Sequence, residues 1–196
     1  MSASSSAAAP AETKPRFRPL ALAPARVVRE TDADGTIRLR SPMPLEPYDT
    51  NLAGVFRTSV DARPDRVFLA ERDADGGWRK VTYAQARRSV DALAQALIER
   101  GLSPERPVMV LSGNAVDHAL LMLACYTAGV PIAPISVAYS LQSQDHAKLK
   151  HIAELLQPGL IYVADTEPFT PALAALDLRN VEVKTSTFLP LFCAPT

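Results

Sequence analysis

The chain has 196 residues, 47% of them hydrophobic, and Lys plus Arg and Asp plus Glu both total 21, so its formal net charge is zero. That length fits one ordinary domain with short additions, and the apolar content belongs to a folded chain. The balanced charge removes the usual basis for a nucleic-acid partner, because no basic excess displaces counterions from phosphates.

Residues 1–24 are rich in Ala, Ser and Pro. They hold no continuous apolar core, so they read as a disordered leader rather than a secretory signal or a transit peptide. Residues 25–48 read as a hairpin and a Pro-rich linker. Val27 and Val28 lead into the turn pair Asp34-Gly35, and Ile37 and Leu39 alternate on the way back.

An α/β domain is expected over 49–185. Thr50 is placed to cap its first helix, with Leu52, Val55, Phe56 and Ser59 on one face and a stop at Arg63-Pro64. Val67 to Glu71 and Trp78 to Thr82 flank Asp75-Gly76-Gly77 as a second hairpin. Thr82 and Gln85 form a capping box for a helix with Tyr83, Ala86, Val90, Leu93 and Leu97 as its stripe. Gly101 ends it.

Val108 to Leu111 reads as a strand covered on both faces. Asn114 is placed to cap a helix from Ala115 to Ala128, and Gly129 stops it. Val130 to Ile135 reads as a strand, Asp145 to Leu156 as a helix with Leu149, Ile152 and Leu156 inward, and Leu160 to Ala164 as a strand. A helix around Pro168 to Ala175 and a strand Val181 to Val183 follow. Alternating strands and helices imply a mostly parallel sheet flanked by helices. Residues 186–196 have no amphipathic period and read as an irregular tail, truncated or out of frame. Ala119 to Gln144 carries no charge, but Gly129, Pro131 and Pro134 interrupt it. A membrane span needs about 20 continuous apolar residues, so no membrane partner is expected.

Few residues invite chemistry. Ser112-Gly113-Asn114 lies between a strand and a helix, where backbone N–H groups can hold an anion. It is neither a P-loop nor a dinucleotide fingerprint, and a plain turn and cap is the reading taken. His118 and Cys125 share a helix face but stand about 10 Å apart at helical rise, too far for a common metal or a proton transfer. His146 and His151 are five apart and diverge around their helix, so structural histidines are expected. Cys125 reads as an inert core thiol. Cys193 is the other cysteine; the two form no disulfide framework and point to a reducing, cytoplasmic compartment. Ser136 lies in no nucleophile elbow. Asp73 and Asp75 read as turn formers. Lys148, Lys150 and Glu154 read as a solvated helix face. No catalytic, cofactor-binding or metal-ligating residue is assigned.

Trp78 to Ser140 resembles the N-terminal subdomain of the adenylate-forming superfamily, the acyl-CoA synthetases and their relatives. The matching features are Thr82-Tyr83 opening a helix, the Ala-Leu repeat ending in Gly101, Val108 to Leu111, Asn114, Ala128-Gly129, Pro131 and Pro134. Gln85-Ala86 stands where Glu-Leu is usual, and Glu105-Arg106-Pro107 where Gly-Asp-x is usual. The segments RVVRETDADGTIRLRSPMPLEPYD and VAYSLQSQDHAKLKHIAELLQPGLIYVAD are similar to bacterial feruloyl-CoA synthetases. The resemblance implies a full-length enzyme that joins ATP, with Mg²⁺, to an aromatic acid such as ferulate, and then passes the acyl group to CoA. The family's phosphate loop, adenine motif, ribose-binding Asp, hinge and catalytic Lys have no counterpart here. The chain alone is therefore expected to bind no cofactor and to be inactive. The alternative is a stand-alone, non-catalytic interaction module of the same fold. An unrelated nucleotide-binding protein would rest on Ser112-Gly113-Asn114 alone.

Overall fold

A computed structural model describes residues 26–186, together with Leu22 and Pro24. The expectations for the leader, for residues 187–196 and for Cys193 lie outside the described residues. Between Pro47 and Tyr48 the chain divides into two compact units. The first holds the antiparallel hairpin β1 (Val28–Thr31) and β2 (Ile37–Arg40), paired from Val28↔Arg40 to Thr31↔Ile37.

The second unit runs α1 (Leu52–Ala62), β3 (Val67–Arg72), β4 (Trp78–Thr82), α2 (Tyr83–Glu99), β5 (Val108–Leu111), α3 (Val116–Ala128), β6 (Ile132–Pro134), α4 (Ala138–Leu141), α5 (Ala147–Leu156), β7 (Leu160–Val163), α6 (Thr166–Ala174) and β8 (Glu182–Thr185). β3 and β4 pair antiparallel, with a register shift between Val67 and Leu69. β6, β5, β7 and β8, in that order, form an all-parallel sheet.

Strand geometry divides the core in two. Successive side chains of a strand point to opposite faces. Val108, Val110, Leu160 and Tyr162 therefore meet the apolar residues of α1, α2 and α3. Met109, Leu111, Ile161 and Val163 meet those of α5 and α6. Burial on both faces is why β5 and β7 are unbroken apolar runs. The α/β class and parallel sheet expected from the sequence are what the chain adopts.

α2 carries the expected capping box, with Thr82 Oγ1 accepting from the Gln85 N–H at 3.3 Å and Gln85 Oε1 accepting from the Thr82 N–H at 2.8 Å. Gly129 takes the left-handed conformation that ends α3, at φ +71°, where a side chain would be strained. At its far end α2 is tied to β8 by Arg100 Nε donating to Glu182 Oε2 at 3.1 Å.

Several boundaries and faces differ from expectation. Asn51, not Thr50, caps α1, its Oδ1 accepting the Gly54 N–H at 2.7 Å. The inward face of α1 is Phe56 and Val60, whereas Leu52 and Val55 are 60% and 38% exposed. The ring stack from Phe56 through Phe68 to Tyr83 sets that rotation. Asn114 caps nothing: Ala115 holds the N-cap position of α3 and offers no side-chain bond. β6 is confined to Ile132–Pro134, and α4 was not foreseen, because four residues carry no readable period. α5 begins at Ala147, after His146 at its N-cap and with Asp145 accepting the Ala147 N–H, and α6 begins at Thr166 behind an Asp165 cap. β8 lies over Glu182–Thr185, carried by its ladder to β7 despite two charged residues.

Candidate functional site at the carboxyl edge of the sheet

Ligands of open parallel sheets sit beyond the carboxyl ends of the strands, where successive connections diverge. Here α3 leads from β5 to β6 on one side, while α6 leads from β7 to β8 on the other. The divergence falls between β5 and β7, at Ser112 to Asn114 and at Ala164-Asp165. The two loops are joined by the Ala164 N–H donating to the Leu111 carbonyl at 3.3 Å.

The first turn of α3 begins there, with unpaired N–H groups and a partial positive charge. No side chain of its own loop meets them. Glu71 of β3 does: its Oε2 accepts the Val116 N–H at 2.8 Å, from 45 residues away. Glu71 Oε1 accepts from Arg79 Nη1, and Asp117 Oδ1 from Arg79 Nη2, both at 2.7 Å. The Asp117 side chain is only 9% exposed. Burial works against the Arg79 charge, yet the Asp117 and Glu71 carboxylates together hold the guanidinium protonated more firmly than usual.

A carboxylate of the same chain thus stands at the helix terminus beside the Ser112-Gly113-Asn114 loop, which disfavours an anion there, and Ser112 turns its hydroxyl onto the Gly113 carbonyl at 2.9 Å. α5 and α6 each have one first-turn N–H met in the same manner, Ala147 by Asp145 and Glu167 by Asp165.

The remaining candidates stay apart. His118 Nδ1 lies 3.2 Å from the Gly113 carbonyl, which places its proton on that nitrogen, and Nε2 is buried without a partner. Cys125 is fully buried, and burial pushes its thiol up to about 12, the state of an inert core thiol. His146 is buried at the start of α5, facing the Tyr139 carbonyl at 3.5 Å, while His151 is exposed. Ser136 accepts the Ala138 N–H in the turn that begins α4. Asp73 accepts the Gly77 N–H at 2.6 Å, as a turn former does, and Asp75 is exposed. Lys148, Lys150 and Glu154 form the exposed face of α5, with Lys148 lying over the Tyr139 ring. Among the described residues no three His, Cys, Asp or Glu side chains gather as a metal-holding set. None of their helices is long and apolar enough to cross a membrane.

The sequence did not reveal Glu71, Arg79 and Asp117 as a group. Hairpin register alone places Glu71 opposite Arg79, but their meeting with Asp117 is tertiary. A second polar pair was also missed. Ser186 donates to the Ala164 carbonyl at 2.8 Å, so the Tyr162 hydroxyl, 2.8 Å away, donates to Ser186. Burial pushes Tyr162 up to about 12. An open groove of about 690 Å³ is lined by Glu105, Arg106, Gln157 and Asn180 among others. It lies at the amino ends of the strands, opposite this edge.

A family model described as AMP-binding enzyme matches residues 56–190. The chain belongs to the AMP-binding enzyme family. Within it, the chain is 36% identical over 76 residues to 3-oxocholest-4-en-26-oate--CoA ligase of Rhodococcus rhodochrous, a match covering 39% of this chain and 13% of that protein. It is 31% identical over 115 residues to the PKS-NRPS hybrid synthetase psoA of Aspergillus fumigatus, covering 59% of this chain and 3% of that one. The chain spans 2 to 13% of the length of such curated relatives. Among solved structures it is similar to the fatty acyl-adenylate ligase from L. pneumophila in complex with acyl adenylate and pyrophosphate. That likeness has a TM-score of 0.58 and 18% identity over 74% of this chain and 25% of the other. The Klebsiella oxytoca NpsA N-terminal subdomain in complex with 3-hydroxyanthranilyl-AMSN gives 0.56 and 18%, over 74% and 33%. At such identity the two structures speak for the fold, that of the N-terminal subdomain of an adenylate-forming enzyme.

Proposed function

We propose that this chain is the N-terminal part of an AMP-forming acid–CoA ligase of the feruloyl-CoA synthetase type. The whole enzyme would condense ATP with an aromatic acid such as ferulate, releasing pyrophosphate, and CoA would then displace AMP to leave the thioester. Residues 49–185 would be the subdomain whose sheet carries the reacting loops. By itself the chain would not catalyse the reaction. The observation that carries the reading is the AMP-binding family match over residues 56–190. The feruloyl assignment is supported by the two segments quoted from the sequence.

The residues present do not fit a nucleoside triphosphate. Binding and transferring its phosphates needs aimed cations and free backbone donors. At the carboxyl edge one first-turn N–H of each of α3, α5 and α6 is met by a carboxylate, Glu71, Asp145 or Asp165, and Arg79 is held between two carboxylates. Those acids would repel a polyphosphate. The role left to this chain is to hold the sheet, and the loops leaving it, in a fixed register.

Pyrophosphate–ATP exchange with ferulate tests both halves. The isolated chain should give no exchange above the blank, and the full-length gene product should exchange with ferulate in preference to amino acids. Sustained exchange by the isolated chain would overturn the first half, and an amino-acid preference the second.

A further inference from the structure

We infer that the outer half of the β3–β4 hairpin is a strap, latched over the first turn of α3 by Glu71, Arg79 and Asp117, that opens as a unit without unfolding the sheet. The hairpin has two differently held halves. At its base, Val81 is buried and Phe68 and Leu69 pack against the core. Beyond the pair Leu69↔Val81 come Ala70↔Lys80, Glu71↔Arg79 and Arg72↔Trp78. Of these residues only Glu71 is not exposed. Arg72 stacks on Trp78 at 4.3 Å and bonds the Gly76 carbonyl, contacts internal to the tip. The outer half is joined to the rest of its unit by polar bonds through two side chains: Glu71 to the Val116 N–H and Arg79 to Asp117.

Such a junction responds differently from apolar packing. The two carboxylates face one guanidinium, so removing the cation leaves them opposed and undoes both links together. The Arg79 side chain is 43% exposed, so dissolved salt reaches the ion pairs and screens them. The apolar base is indifferent to salt of that strength. Opening would free the α3 terminus while β5, β7 and the lower hairpin stay paired, a sub-global opening of the kind hydrogen exchange resolves.

Amide exchange on the intact chain, comparing wild type with Arg79→Gln, Arg79→Lys and Glu71→Gln, tests this directly. Arg79→Gln should raise exchange at Val116 and along the outer ladder by about tenfold or more, leaving Val81, Val90 and Val110 unchanged. Arg79→Lys, which keeps the charge but not the fork, should lie between. Trp78, the chain's single Trp, should become more accessible to a neutral quencher in Arg79→Gln. Wild type in about 0.5 M NaCl should move the same way. If Arg79→Gln does not fold, Glu71→Gln decides, since it removes the charge pair with Arg79 and weakens the bond to Val116: the outer ladder and Val116 should then exchange faster together. Unchanged exchange at the tip, or an equal rise at every amide, would overturn the strap.

Discussion

The hairpins β1–β2 and β3–β4 arise from the same local signals: a Gly-containing turn between two short antiparallel strands. Yet no residue of β1 or β2 is buried, with Ile37 and Leu39 at 53% and 66% exposure, whereas β3–β4 places Val81 in a core. Their charges differ likewise. Arg40 with Glu30 and Arg38 with Asp32 pair within the first hairpin in full view of solvent, an arrangement of small net value. The Glu71 and Arg79 pair of the second reaches beyond its own strands, to Asp117 and the α3 backbone. Turn chemistry and alternation specify a hairpin. They do not specify what it leans on.

The largest test of that contrast is alkaline pH. Cys125 and Tyr162 lie in the core on which β3–β4 packs, and burial raises both, to about 12 from 9.0 and 10.0. Between those values the native state binds more protons than the unfolded chain, so the slope of stability with pH is negative. Stability is full below pH about 9 and falls, by several kcal/mol on the order of one per unit per group, as pH rises toward 12. Urea midpoints followed by circular dichroism should show this, and Cys125→Ala should delay the onset to about pH 10, where tyrosine begins to ionise.

Phe68→Ala should follow, at about 3 kcal/mol, since it empties the centre of the Phe56, Phe68 and Tyr83 stack. Arg79→Gln should cost about 1–2 kcal/mol, less than a fully buried pair because the guanidinium is part-exposed. Leu39→Ala in the first hairpin should stay within about 0.5 kcal/mol. A Leu39→Ala loss equal to that of Phe68→Ala would erase the distinction between the hairpins.

Much of the fold could be read before any coordinates. The apolar runs of β5 and β7, the Thr82–Gln85 box and the Gly129 stop are local signals that tertiary contacts reinforced. How far the buried face of α1 extends could not, because Leu52 and Phe56 share a face at four-residue spacing, yet Phe56 packs on the Phe68 ring while Leu52, the first residue of the helix, is 60% exposed. The cap of α3 could not either. Asn114 is a good cap by type, but the carboxylate that does the capping stands 45 residues upstream. The carboxyl edge was legible as a place, after a strand and before a helix. Its closure by the chain's own acids depended on a hairpin folding over it.

The most direct test of the account is to read the source nucleic acid downstream of the Thr196 codon in all three frames. The account predicts, in one of them, a Ser/Thr/Gly-rich phosphate loop with its Lys, the motif that the resemblance implies and that residues 1–196 do not contain. No ligase-like coding in any frame would contradict it, leaving a free-standing domain of this fold whose function must be sought in its partners.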